Sequence, residues 1–183
     1  MTTSEEIAVE MNRQEPAVPL SDWLDKWVLR TGYVISWVYA ALIVIIITQI
    51  VMRYGFGGGL PVFEELQWHL YAVGVMFGIA YAQANDSHIR VDLLHMRLSR
   101  NAQRIWEIIG ILFLVYPFIA VVFFNGLDFF YDSWRINERS DAPVGLPWRW
   151  AIKAVIPLSF GLLFIAITSR LIRDTVLLFR RGV

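Results

Sequence analysis

Residues 31–52 run for 22 positions without one charged side chain. A helix of about 20 apolar residues crosses the roughly 30 Å hydrocarbon core of a bilayer, so this run limits the possible folds more than any other feature. Three further charge-free runs follow, at residues 66–84, 108–127 and 154–169. The last is short, and it reaches both interfaces when Lys153 and Arg170 extend their stems toward water. Pro117 and Pro157 fall inside such runs, where a proline signals a kink more than a break. Composition agrees: 57% of residues are hydrophobic and 17% charged, against about 25% charged in soluble domains. The expected fold is an all-α integral membrane protein with four transmembrane helices, at about 29–52, 65–85, 105–128 and 152–172, forming one membrane domain over residues 20–183.

Lysine and arginine in the flanks set the orientation. Arg13, Lys26, Arg30, Arg90, Arg97, Arg100, Arg104, Arg170, Arg173, Arg180 and Arg181 lie on one side, and Arg53, Arg135, Arg139, Arg149 and Lys153 on the other. Eleven against five places both termini in the cytoplasm. The first run reads as a retained span, because it is too long for a cleavable leader, an acidic tail of about thirty residues precedes it, and only Met52-Arg53-Tyr54 follows. Residues 1–19 are acidic and without period, which predicts a disordered cytoplasmic tail. Leu20, Trp23, Leu24, Trp27 and Val28 repeat at helical spacing, with Asp22, Asp25 and Lys26 on the other face and Ser21 as N-cap. This predicts an amphipathic interfacial helix before the first span; the alternative is a segment that merely continues the span. A second surface segment is expected at 90–104, with Arg97, Arg100 and Arg104 reaching lipid phosphates. No internal repeat is visible, which argues against a complete two-halved transporter.

Few residues here could carry chemistry. His69 is the one histidine within an expected span; His88 and His95 lie in the following loop, so no pair can grip a haem from two helices. Glu64, Glu65, Glu107 and Asp128 flank the spans rather than enter them. Thr48, Gln49 and Gln83 are too few for an ion path. Gly55-Phe56-Gly57-Gly58-Gly59 lacks the ending of a phosphate loop and reads as a turn. There is no cysteine, and 16 basic residues balance 16 acidic ones, which removes thiolate sites and a field for nucleic acid. No catalytic, cofactor-binding or metal residues are expected, and nothing argues for an enzyme. Gly74 and Gly78, with Gly110, offer small faces for close helix approach. Trp134, Trp148 and Trp150 stand with Arg135, Arg139 and Arg149 in an expected outer loop at 128–151, either as an interface anchor or as a partner-docking surface.

Several motifs together carry a family resemblance. Arg53-Tyr54, Glu64-Glu65-Leu66, Gly78-Ile79-Ala80-Tyr81-Ala82 and His88-Ile89-Arg90-Val91-Asp92-Leu93-Leu94 resemble the small membrane subunit, DctQ-like, of tripartite ATP-independent periplasmic (TRAP) transporters. The segment from Ser140 to Pro147 resembles the mannitol/chloroaromatic or keto-acid subgroup. One departure is Gly57-Gly58-Gly59, where many relatives carry Asn and a Trp before the glutamate pair. The resemblance implies a large multi-span permease subunit that carries substrate and sodium, a periplasmic protein that delivers an organic acid, and a bacterial inner membrane location. It implies no cofactor on this chain, whose part is a lipid-embedded scaffold. Candidate partner or structural contacts are then Arg53, Glu64, Glu65, Gly78, His88, Arg90 and Asp92, and the candidate docking loop is Trp134, Arg135, Arg139, Trp148 and Arg149. Arg90 and Asp92 pair with each other or with the partner, worth about 0–1 kcal/mol if exposed. The rival readings are an anchor subunit of another complex and a small homo-oligomeric channel or carrier.

The charge count makes a direct prediction. A reporter active only in the cytoplasm should work at residue 183 or near Arg97, and one active only in the periplasm near Ser140. The reverse pattern would overturn the orientation.

Overall fold

A computed structural model describes residues 17–85, 98–141 and 145–180. His88, Arg90 and Asp92, most of the expected 90–104 surface segment, and residues 1–16 of the expected tail lie outside this description. Four long helices make up the described chain: α1 (Pro19–Gly55), α2 (Pro61–Ala84), α3 (Arg100–Arg135) and α4 (Arg149–Arg180). Among the described residues there is no strand. Helices α1, α3 and α4 are long and apolar enough to cross a membrane, by length and composition. Helix α2 has 24 residues, about 36 Å at 1.5 Å per residue, but Glu64, Glu65, Gln67 and His69 make its first turns polar.

Helix starts follow the chemistry of orphan N–H groups. Pro19 and Pro61 begin α1 and α2, where a missing N–H costs nothing and the fixed φ suits the helix. Val18, not Ser21, is therefore the N-cap of α1. Ser99 caps α3 by accepting from Ala102 N at 3.3 Å. The expected interfacial helix is not a separate element: α1 is unbroken from Pro19 to Gly55, since nothing between Val28 and Gly32 interrupts hydrogen bonding. Helix α3 widens into a π turn at Ile111–Val115, with Tyr116 N–H reaching Ile111 O. Pro117 follows at once and lacks the donor for a regular i→i−4 bond, so the local register shifts. The α3–α4 loop is shorter than the sequence suggests, because α3 continues to Arg135 and α4 starts at Arg149.

Helix α4 is the centre of the packing. It contacts α1, α2 and α3, while α1 and α2 pair closely and α3 leans mainly on α4. The core joins Phe160, Leu163, Ala166 and Ile167 of α4 to Val28, Ala80, Ile111 and Ile119. Glycines allow the closest approaches: a Cβ on Gly32 would overlap the Tyr81 ring, and one on Gly74 would lie 2.5 Å from Tyr39 Cζ. Gly126 of α3 sits against Ile156 and Pro157 of α4. A Cβ on Gly78 or Gly110 would meet nothing within 4 Å, so the close helix contact expected of them is not made among the described residues. The outward faces stay apolar: Trp37 is 66% exposed and Phe113 73%. Such a surface needs lipid or a partner.

Gly32→Val should drive a side chain into Tyr81 Cβ and Cγ, both 2.9 Å from a Cβ placed there, and cost about 1–3 kcal/mol. Gly78→Ala should leave stability unchanged or slightly raised. Unfolding midpoints in detergent check both, and equal midpoints would refute the α1–α2 packing.

Candidate functional site

Polar chemistry gathers at the two ends of the bundle. One end, here the turn end, carries the α1–α2 turn and the α3–α4 loop. Gln49 of α1 donates from Nε2 to Glu64 at 3.3 Å and accepts from Leu60 N at 3.2 Å. That pins the glycine-rich turn over α1. Glu65 Oε2 accepts from Leu146 N at 2.6 Å, tying the α3–α4 loop to α2. Within the loop, Glu138 accepts from Lys153 Nζ at 2.5 Å and lies 3.5 Å from Arg149 Nε. Lys153 also stands 4.0 Å over the Phe129 ring. The Lys153 hydrogen bond is the largest influence holding the Glu138 carboxyl below the usual carboxylate range, and the charges of Lys153 and Arg149 add smaller shares. Arg149 Nη1 donates to Asp141 at 3.1 Å, and its backbone N–H to Glu138 O at 3.0 Å.

The five expected docking residues do not share one condition. Trp134 is exposed beside Tyr131. Arg135 is exposed and only 3.9 Å from Asp132. Arg139 is exposed. Arg149, in contrast, is committed to Glu138 and Asp141. Trp148 is exposed with φ 63, a left-handed conformation that is rare for a bulky residue. Arg53 is exposed in the last turn of α1.

The other end, the terminal end, holds a network that the sequence reading missed. Arg170 donates from Nε and Nη2 to Glu107 of α3 at 3.1 and 2.9 Å, and from Nε to Asp174 at 3.0 Å. Arg173 donates from Nη2 to Asp22 at 2.9 Å and Asp25 at 2.8 Å, both on α1. Its Nε donates to Ser21 Oγ at 3.1 Å, and Ser169 Oγ donates to Ser21 O at 2.9 Å. Ser21, Ser169 and Asp174 are buried. Asp25, Gln83, Asn85, Arg170 and Arg173 line a small polar cavity of about 100 Å3. The available signal was Asp22 and Asp25, three apart on α1, opposite Arg170 and Arg173, three apart on α4. Neither pair names the other from sequence alone.

Chemically, these groups are used in holding elements together. Each carboxylate with a named cation or N–H is occupied, and among the described residues no three His, Asp or Glu side chains could hold a metal ion together. With this geometry in hand, comparison with known proteins gives one match. The family described as "Tripartite ATP-independent periplasmic transporters, DctQ component" matches residues 42–177. No curated protein and no solved structure matches.

Arg170→Ala should leave the buried Asp174 carboxylate without its adjacent cation and cost about 3–5 kcal/mol. Arg170→Met with Asp174→Leu should recover only the part of that loss due to Asp174, because Glu107 still lacks its Arg170 partner. Arg135→Ala should change stability by less than about 0.5 kcal/mol. A denaturation series of these variants checks the contrast.

Proposed function

The chain belongs to the DctQ component family of tripartite ATP-independent periplasmic transporters, and from that premise we propose that it is the non-catalytic small transmembrane subunit of a sodium-driven uptake system. In this reading it scaffolds a large multi-span permease subunit, which takes up an organic acid delivered by a periplasmic binding protein. The chain lies in the bacterial inner membrane with four spans, α2 being the second, and with both termini in the cytoplasm. The turn end then faces the periplasm. The sodium and substrate sites belong to the large subunit, and this chain carries no cofactor.

The family match over residues 42–177 is the observation that carries the proposal. The physical character of the chain supports it. Its charged groups gather at the bundle ends, and its flanks are apolar, with Val121 61% and Phe124 64% exposed. A moving transport element needs something stationary to push against. Helices tied at both ends by ion pairs can serve that mechanical role, and their exposed flanks offer van der Waals area to a partner in lipid.

The docking of the binding protein falls to the exposed cations. Because Arg149 is held by Glu138 and Asp141, Arg135 and Arg139 are the pair to change. The double change Arg135→Ala with Arg139→Ala should raise, several-fold, the binding-protein concentration needed for half-maximal uptake in proteoliposomes. The effect should shrink at higher salt, where exposed charges are screened beyond about 8 Å, with the sodium gradient kept equal. Yield of the complex should not change. An unchanged titration would leave this loop without a docking role. Co-expression with the cognate large subunit tests the wider reading: the two should co-purify, and sodium-driven uptake should need both. Uptake by the large subunit and binding protein alone would overturn it.

A further inference from the structure

Beneath the α3–α4 loop, on the face between α2 and α4, lies a cavity of about 300 Å3 that the scaffold reading does not use. Its volume is at the lower end of the range of small-molecule sites. Val73 of α2 and Ile152 and Val155 of α4 give it apolar walls; Trp148 and Arg149 stand at its rim, and His69 lines it. The polar side is sparse: His69, Arg149 and Glu65, whose carboxylate is already engaged by the Leu146 N–H. His69 Nδ1 is buried without a hydrogen-bond partner. A proton there would be a donor with no acceptor among the described residues, and an acceptor placed in the cavity would satisfy it. Arg149 uses Nη1 on Asp141 and holds Nε 3.5 Å from Glu138, which leaves Nη2 for a further acceptor. Trp148 is held at φ 63 with an exposed ring, and backbone strain of this kind clusters at ligand clamps.

The position identifies the occupant. The cavity lies where α4 begins, with the exposed Trp148 in its lining, a residue type common at the membrane–water boundary. The flanks of the same helices, Tyr71 and Val75 of α2 and Leu158 of α4, are exposed and apolar, so the lipid phase adjoins the site. We propose that this cavity is a phospholipid site: an acyl chain lies between Val73 and Val155, the phosphate meets Arg149, an ester oxygen accepts from His69, and Trp148 closes the rim. The proposal rests on the membrane-spanning reading of α2 and α4 and not on the transport role, so the two can fail separately.

The test uses the chain purified with its large subunit and stripped by prolonged detergent washing. Native mass spectrometry and phosphorus analysis should find about one retained phospholipid per chain, as expected for a single pocket of this size. Val73→Trp, which fills the cavity, should abolish retention. His69→Phe, which keeps the ring and removes the donor, should reduce it several-fold, with elution and complex yield unchanged in both variants. A short-chain phospholipid should displace the retained lipid, and inorganic phosphate at the same concentration should not. Equal retention by wild type and both variants would show annular lipid only and overturn the site. Displacement by phosphate alone would overturn the acyl-chain assignment. A photocrosslinker at residue 73 that labels the large subunit in place of lipid would also overturn the proposal, since the cavity would then be a protein contact.

Discussion

Arg170 and Arg173, one turn apart on α4, join three helices at a single end of the bundle. Arg173 reaches α1 through Asp22 and Asp25, and Arg170 reaches α3 through Glu107. Lipid tails are as apolar as leucine, so burial of apolar surface gives little drive for helix association in a membrane. Directional polar ties and close van der Waals contact must do that work. Helix α4 supplies both, since it also holds much of the buried core. The charged groups sit where water can help solvate them, and Ser21 and Ser169 fill the remaining hydrogen-bond valences between α1 and α4.

The opposite end is closed by a different device. Glu138 collects Lys153 and Arg149 from the first turns of α4, which folds the α3–α4 loop back on its own helix. Between the two ends the helices touch through apolar side chains, a few glycines and the Tyr116–Thr168 hydroxyl pair at 3.0 Å. Helix α3, leaning mainly on α4, leaves much of its surface uncovered. Rigid ends with open apolar sides are the property a stationary membrane partner requires. The same arrangement places most functional potential at the ends and on the outward faces.

The four helices were legible in the sequence because a charge-free run of about 20 residues has few other uses. Their ends were less so. Helix α3 runs on through Asp128, Asp132 and Arg135, because leaving the hydrocarbon does not end a helix; a stop signal does, and none occurs before Asn137. Gly74 and Gly78 look alike in sequence, yet among the described residues only Gly74 meets a neighbour. Which of two glycines four apart is used depends on where α1 crosses, and that depends on Tyr39 and Tyr81. Arg149 looked equivalent to Arg135 and Arg139, but its pairing with Glu138 is set by the fold of the loop. The Arg173–Asp22 pair spans 151 positions, and a long-range contact of this kind leaves no local pattern to read.

Glu64 and Glu65 show how a short motif can serve a fold without any catalytic role. Adjacent residues on a helix point about 100° apart, since one turn takes 3.6 residues. Two neighbouring carboxylates therefore cannot share one partner easily, but they can reach two different elements. Glu64 turns to Gln49 of α1, and Glu65 turns to the backbone of Leu146 in the α3–α4 loop. Both sit in the first turns of α2, where the helix dipole favours negative charge. One short stretch of α2 thus fixes the α1–α2 turn on one side and the α3–α4 loop on the other. A single glutamate could hold only one of them, and the pair accounts physically for two consecutive acids at the start of α2.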